Sequence, residues 1–274
     1  MKKVKRVIVA ATVIASLVTT TPVMADNTVL YDGNGLHVEA KDLEKASENG
    51  KIGLYIENNS KLSLGVSSYA YAINGIMAGG DQYGFNSIDV APGKKANATI
   101  DLVDDWEDNN FFKDYQIDDV SNFDILFWAY DNDKSYKSFD TGQIHVDVSG
   151  SENEESPIFA NPLNIYDSNG IRVDFLSKHG NAFTFCISNN TGEYFTCDAD
   201  NISYNDFTSS DTDYNLFNKY ILDGCKLMVT LEPYSDFLEE NEIKEVTKVD
   251  FSLKVRPLDD YSNEYSTDIF SVGW

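Results

Sequence analysis

The chain is short of cysteine, histidine and positive charge, and each shortage excludes something. Its three cysteines, Cys186, Cys197 and Cys225, all fall in the second half. A secreted disulfide framework pairs cysteines throughout a fold, so no bridge is essential to the first half. One pair in the second half stays open to bridging, and the spacing does not choose it. There is no C-x-x-C and His179 stands alone nearby, which makes zinc a poor fit. G-x-S-x-G, H-E-x-x-H and a phosphate-cradling glycine loop are all missing. His37, His145 and His179 are the only histidines, and the expectation for each is a solvated surface position. Carboxylate pairs of the glycosidase kind carry no information among 45 acidic residues. The expectation is a protein that is not an enzyme, with no catalytic residues and no cofactor.

Lys and Arg total 21 against those 45 acids, a net charge of −24. Lys2, Lys3, Lys5 and Arg6 precede an apolar run from Val7 to Val18, and Val23-Met24-Ala25 follows. This is the pattern of a secretory signal over residues 1–25, too short and wrongly flanked for a membrane span. Taking those four positive charges from −24 leaves −28 for the mature chain. Such a charge repels nucleic acid and anionic membranes. The residue that follows the expected cleavage site is Asp26 and not a lipid-bearing cysteine, and no hydrophobic tail is visible. A secreted protein, cell-associated by non-covalent contacts at most and without membrane insertion, is therefore expected.

What is present is a repeat. Leu30-Tyr31-Asp32-Gly33-Asn34-Gly35-Leu36-His37-Val38 returns as Ile165-Tyr166-Asp167-Ser168-Asn169-Gly170-Ile171-Arg172-Val173. Leu54 to Ser60 returns as Phe185 to Thr191, and Phe123 to Val148 matches Val249 to Trp274. Residues 26–149 and 158–274 are read as two domains, and the polar, acidic stretch 150–157 as their linker. Within each repeat the period is two: Ile125, Phe127 and Ala129 alternate with Leu126, Trp128 and Tyr130. Asn34-Gly35 and Asn169-Gly170 suit tight hairpins, whose central residues need positive φ. Short helical insertions are expected around Trp106 to Tyr115 and Asp236 to Glu245. About seven short strands per repeat predict an all-β chain of two tandem immunoglobulin-like β-sandwiches.

A strand ending in Asn58-Asn59-Ser60 or Asn189-Asn190-Thr191 carries a resemblance, with the turn Pro92-Gly93-Lys94 and the apolar strand after it. The chain resembles the tandem immunoglobulin-like domains of exported Gram-positive accessory proteins. The second repeat has Leu222-Asp223-Gly224-Cys225-Lys226 where the first has the Pro-Gly-Lys turn. The resemblance implies an extracellular accessory module and carries over no functional residue.

Asp131-Asn132-Asp133, Asp198 with Asp200, and Asp211 with Asp213 offer oxygens suited to calcium. The turn glycine and distal Glu of an EF-hand loop are missing, and Lys134 and Lys137 follow the first group. No metal ligand is assigned. The sharper signal is an asymmetry between outward faces. The first repeat directs Leu126, Trp128 and Tyr130 away from the core, and the second directs Ser252, Lys254 and Arg256 there. Matching Ala70 with Ala199 and Ile73 with Ile202 sets Tyr69 against Asp198 and Tyr71 against Asp200. Tyr69, Tyr71, Trp128 and Tyr130 then form one aromatic patch on neighbouring strands, a candidate site for an extracellular protein or glycan. Two readings follow: the patch is exposed, or it lies under 106–115 or the second domain. The expected function is a secreted binding module. A carbohydrate-binding module and a structural envelope protein with divalent cations are the alternatives.

Overall fold

The computed structural model describes residues 27–79, 87–104, 109–148, 155–209, 216–258 and 260–274. In the first repeat the strands are β1 (Asn27–Gly33), β2 (Leu36–Lys41), β3 (Lys51–Asn58), β4 (Leu64–Ile73), β5 (Ile76–Gly79), β6 (Ile88–Val90), β7 (Lys95–Asp101), β8 (Val103–Asp104), β9 (Asn109–Asn110), β10 (Asn122–Asp131) and β11 (Lys134–Asp147). The second repeat supplies β12 (Leu163–Ser168), β13 (Ile171–His179), β14 (Ala182–Asn189), β15 (Phe195–Tyr204), β16 (Phe207–Thr208), β17 (Lys219–Ile221), β18 (Lys226–Leu231), β19 (Lys248–Pro257), β20 (Tyr265–Ser266) and β21 (Phe270–Gly273).

The sheets pair as immunoglobulin-like sandwiches do. One layer of the first repeat is β1-β2-β3-β7, and the facing layer is β11-β10-β4 with β5 and β6 beside β4. The second repeat sets β12-β13-β14-β18 against β15 and β19 with their short neighbours. Alternation does the work: Ile52, Leu54 and Ile56 on β3 are fully buried against Phe123, Ile125 and Phe127 on β10 in one apolar cluster. The helices are short, α1 (Ala46–Asn49) and α2 (Phe111–Asp114) of four residues each and α3 (Ser235–Glu240) of six. Trp106 lies outside the described residues. Among the described residues no helix is long and apolar enough to cross a membrane.

The repeat holds down to single hydrogen bonds. Asn34-Gly35 and Asn169-Gly170 all have positive φ, as a type I′ hairpin requires. Asn58 is fully buried; its amide donates to the carbonyls of Leu62 and Val90 and its Oδ1 accepts from Ser60. Asn189 makes the same set with Glu193, Ile221 and Thr191. Asn74 binds Asp119, Ser121 and Asn122 as Asn205 binds Glu245, Thr247 and Lys248. These side chains satisfy backbone groups that the strand ladders leave over, so both copies keep them.

The repeats are joined by more than a linker. β5 runs parallel to β18 with Ile76 opposite Lys226, making one continuous nine-stranded sheet through both halves. The Lys226 amide donates to the Gly75 carbonyl at 2.8 Å. Ala70, Ala72, Met77 and Leu126 belong to the second repeat's apolar cluster, and Phe159 and Cys186 to the first repeat's. The end of the expected linker is anchored too. Ser156 bonds the Tyr115 carbonyl, and Phe159, 6% exposed, stacks on Tyr115. Residues 149–154 lie outside the described set.

Candidate functional site

The four aromatic residues expected on one face do not share it. Tyr71 is 5% exposed and packs inward with Ile73 and Ile125. Two physical causes account for the correction. β4 carries an irregularity between Ser68 and Ala70, opposite Phe127 and Leu126, so Tyr69 and Tyr71 fall on opposite faces despite their spacing. The true match between repeats also differs by two residues from the expected one. Ile73 pairs with Phe123 as Tyr204 pairs with Val249, which sets Tyr71 against the core residue Ile202. Burial pushes the Tyr71 hydroxyl up to about 12, with Asp101 adding to the shift.

Tyr69, Trp128 and Tyr130 do share the outer face, and a fourth ring joins them from the second repeat. Tyr220 stacks on Tyr69 at 5.1 Å and 14° and Tyr69 on Trp128 at 5.6 Å and 25°, while Tyr130 lies tilted against Trp128 at 4.6 Å and 34°. Tyr220 is fully buried, and Tyr69, Trp128 and Tyr130 are half-buried. The ladder therefore starts under the second repeat and emerges toward solvent at Trp128 and Tyr130. Tyr130 leans across Gly65 on β4, where a Cβ would come within 2.3 Å of its ring, and its hydroxyl meets Ser87 Oγ at 3.1 Å. Of the covers expected for this face, the second repeat supplies one, over Tyr69 and Leu126. Phe111 and Phe112 pack instead into the first repeat's core.

The corresponding face of the second repeat is closed by charge. Arg256, 3% exposed, donates to Asp198, Asn218, Thr196 and Glu264 and stacks over Tyr261 at 5.0 Å. Its bond to Asp198 raises the guanidinium's pKa further despite burial. Lys254 stands opposite Asp198 and reaches Glu264 at 4.0 Å. Opposite charges therefore pair across these two strands. Tyr220 was not legible as a site residue. Its counterpart, by the pairing of Thr196 with Tyr220 and of Gly65 with Asp89, is an exposed aspartate. That aromatic-for-acid exchange was the signal that a correct register would have given.

A cleft of about 550 Å³ opens at the seam, lined by Asp124, Gln143, His145, Glu155 and Lys226. Gln143 is its staple. The Gln143 amide nitrogen donates to Asp124 Oδ1 at 3.0 Å and to the Asp223 carbonyl at 2.9 Å, and its oxygen accepts the Asp223 amide at 2.8 Å. His145 Nδ1 lies 2.9 Å from the same Asp124 oxygen, and its Nε2 3.3 Å from Asp147. Burial pulls the His145 imidazole down, but its bonds to Asp124 and Asp147 outweigh that and leave it above its ordinary value.

The cysteines are free thiols buried in the apolar clusters. Burial pushes Cys186 up to about 11 and Cys197 and Cys225 higher still, so none is a nucleophile near neutral pH. Of the acidic groups considered for calcium, Asp131 is buried and accepts the Asp133 amide, and Asn132 donates to Asp89. Asp211 and Asp213 lie outside the described residues. Among the described residues no three His, Cys, Asp or Glu side chains converge as metal ligands would.

No family model and no curated protein matches the chain. Solved structures similar to it include the Salmonella enterica SafA pilin in complex with the SafB chaperone, at 7% identity and a TM-score of 0.23 over 82% of this chain and 90% of that chain. The Acinetobacter baumannii CsuC-CsuE chaperone-tip adhesion subunit pre-assembly complex matches at 8% and 0.24, over 80% and 90%. The secreted serine protease VesC of Vibrio cholerae matches at 9% and 0.17, over 81% and 45%.

Proposed function

We propose that the protein is a secreted, non-enzymatic recognition module of the kind found among exported Gram-positive accessory proteins, and that it binds an extracellular protein through the emergent end of the ring ladder. The observation that carries this reading is the contrast between equivalent positions. Trp128 and Tyr130 are partly exposed and extend a stack rooted in the seam, while Arg256, at the Tyr130 position, is sealed by its own partners. Rigid aromatics lose little side-chain entropy on binding, and the ladder holds these two in place beforehand. The second repeat supports the site by supplying Tyr220 beneath Tyr69.

Ring geometry favours a protein over a glycan. A sugar platform turns ring faces outward to stack on pyranose rings. Here Tyr69 and Trp128 have neighbours on their faces, so edges are what the stack offers to solvent.

Trp128→Lys, which installs the residue of the second repeat, tests the reading. Losing two ring pairs costs about 1–3 kcal/mol, so the variant should still melt cooperatively, a few degrees below wild type. Candidate envelope proteins and a glycan panel are then compared on immobilised wild type and variant. Loss of a protein partner in the variant supports the reading. Collapse of the fold, or a partner retained unchanged, would remove Trp128 from the site.

A further inference from the structure

Asp124 and Asp250 are one aspartate in two copies. Each sits third along its strand, opposite His145 and Ser271 respectively. Asp250 has a permanent cation: Lys248 Nζ lies 3.0 Å away on the same strand, and Ser203 adds a hydrogen bond. At the Lys248 position the first repeat has Asn122, and at the Ser203 position it has Ala72. Asp124 is 3% exposed, and its cation is His145, a side chain whose charge depends on pH where that of a lysine does not. Both imidazole nitrogens face carboxylates, Asp124 at 2.9 Å and Asp147 at 3.3 Å. Only the imidazolium carries a proton on each nitrogen, so this geometry is that of the charged ring.

The Asp124 oxygen that meets His145 also receives Gln143, the staple to the second repeat. We propose that the seam is a pH-responsive joint: protonated His145 neutralises buried Asp124 and so keeps Gln143 on Asp223, and loss of that proton loosens the joint. An ionised carboxylate without its cation is costly to bury. It relieves that cost by taking water from the cleft, and this water competes with the Gln143 amide. The other charged groups facing the cleft do not substitute for His145. Glu155 is held by Lys226 at 2.7 Å, and the Asp223 carboxylate accepts the Gly192 amide. Cys225 is buried and uncharged near neutral pH.

The sign follows from the raised imidazole. His145 contributes its full stabilisation below the unfolded value near 6.5, and that contribution is lost as pH rises through the higher folded value.

The test is hydrogen exchange of the Asp223 amide between pH 5.5 and 8.5, corrected for the intrinsic rate, on the mature chain. In wild type, protection should fall about two- to five-fold with the midpoint of the His145 titration, the size expected of a half-exposed ion pair. Asn122→Lys, which supplies the second repeat's cation, should abolish the fall, and so should His145→Gln, which cannot titrate. Protection that stays constant in wild type, or falls equally in His145→Gln, overturns the proposal. Should Asn122→Lys fail to fold, the comparison of wild type with His145→Gln decides alone. Neither residue touches Trp128 or Tyr130 in the ladder, so loss of partner binding by Trp128→Lys is a separate result.

Discussion

At the scale of the residue, the two repeats act as controls for each other. Ser68 Oγ is a buried side-chain atom without a hydrogen-bond partner among the described residues. Ser68 pairs with Phe127 as Ala199 pairs with Leu253, so the second repeat solves the same position with a methyl group. Ser68→Ala should therefore stabilise the protein by about 1–2 kcal/mol, since an unpaired buried hydroxyl costs that much. Chemical denaturation would show it as a higher midpoint at unchanged slope, and a lower midpoint would mean that the hydroxyl has a use. Asn-Asn-Ser and Asn-Asn-Thr were legible as turns at strand ends. That Asn58 and Asn189 are buried pegs was not, because the carbonyls they satisfy, on Val90 and Ile221, lie 32 residues away in each case. Tyr71 departs from the expected face for a related reason. A period of two assigns faces only where the strand is regular, and the irregularity beside Ser68 breaks it.

At the scale of the element, alternation located the strands well, and the expected neighbours β4 and β10 do pair. The helical insertions shrink to four residues in α2 and six in α3, since a segment this short is helical only where packing holds it. Phe111 and Phe112 are what hold α2, with their rings 5.7 Å apart inside the first core. The ring ladder depends on a backbone gap that composition does not reveal. Tyr130 lies over Gly65, directly opposite it in the register. Gly65→Ala should displace the Tyr130 ring, cost about 1–3 kcal/mol as overpacking does, and lengthen the contact between Tyr130 and Trp128. A crystal structure of the variant with the Tyr130 ring unmoved would show that the glycine has another role.

At the scale of the whole molecule, each apolar cluster borrows from the other repeat, and one sheet runs through both. Calorimetry of the protein should show one unfolding transition with van't Hoff and calorimetric enthalpies about equal, as a single cooperative unit requires. Two resolved transitions would mean that the seam contributes little. The seam also joins unlike surfaces: the β5 edge of the first repeat receives the β18 edge of the second. A head-to-tail contact of this kind is not self-complementary, so left unchecked it repeats from molecule to molecule, as a closed ring or an open fibre according to its rotation. The receiving surface of the first repeat is Ala72, Met77 and Leu126, and the second repeat has Ser203, Thr208 and Ser252 at the corresponding register positions. Three apolar-to-hydroxyl exchanges thus make that surface of the second repeat a poor receiver for another copy, as the polar outer face of a capping repeat is in a solenoid.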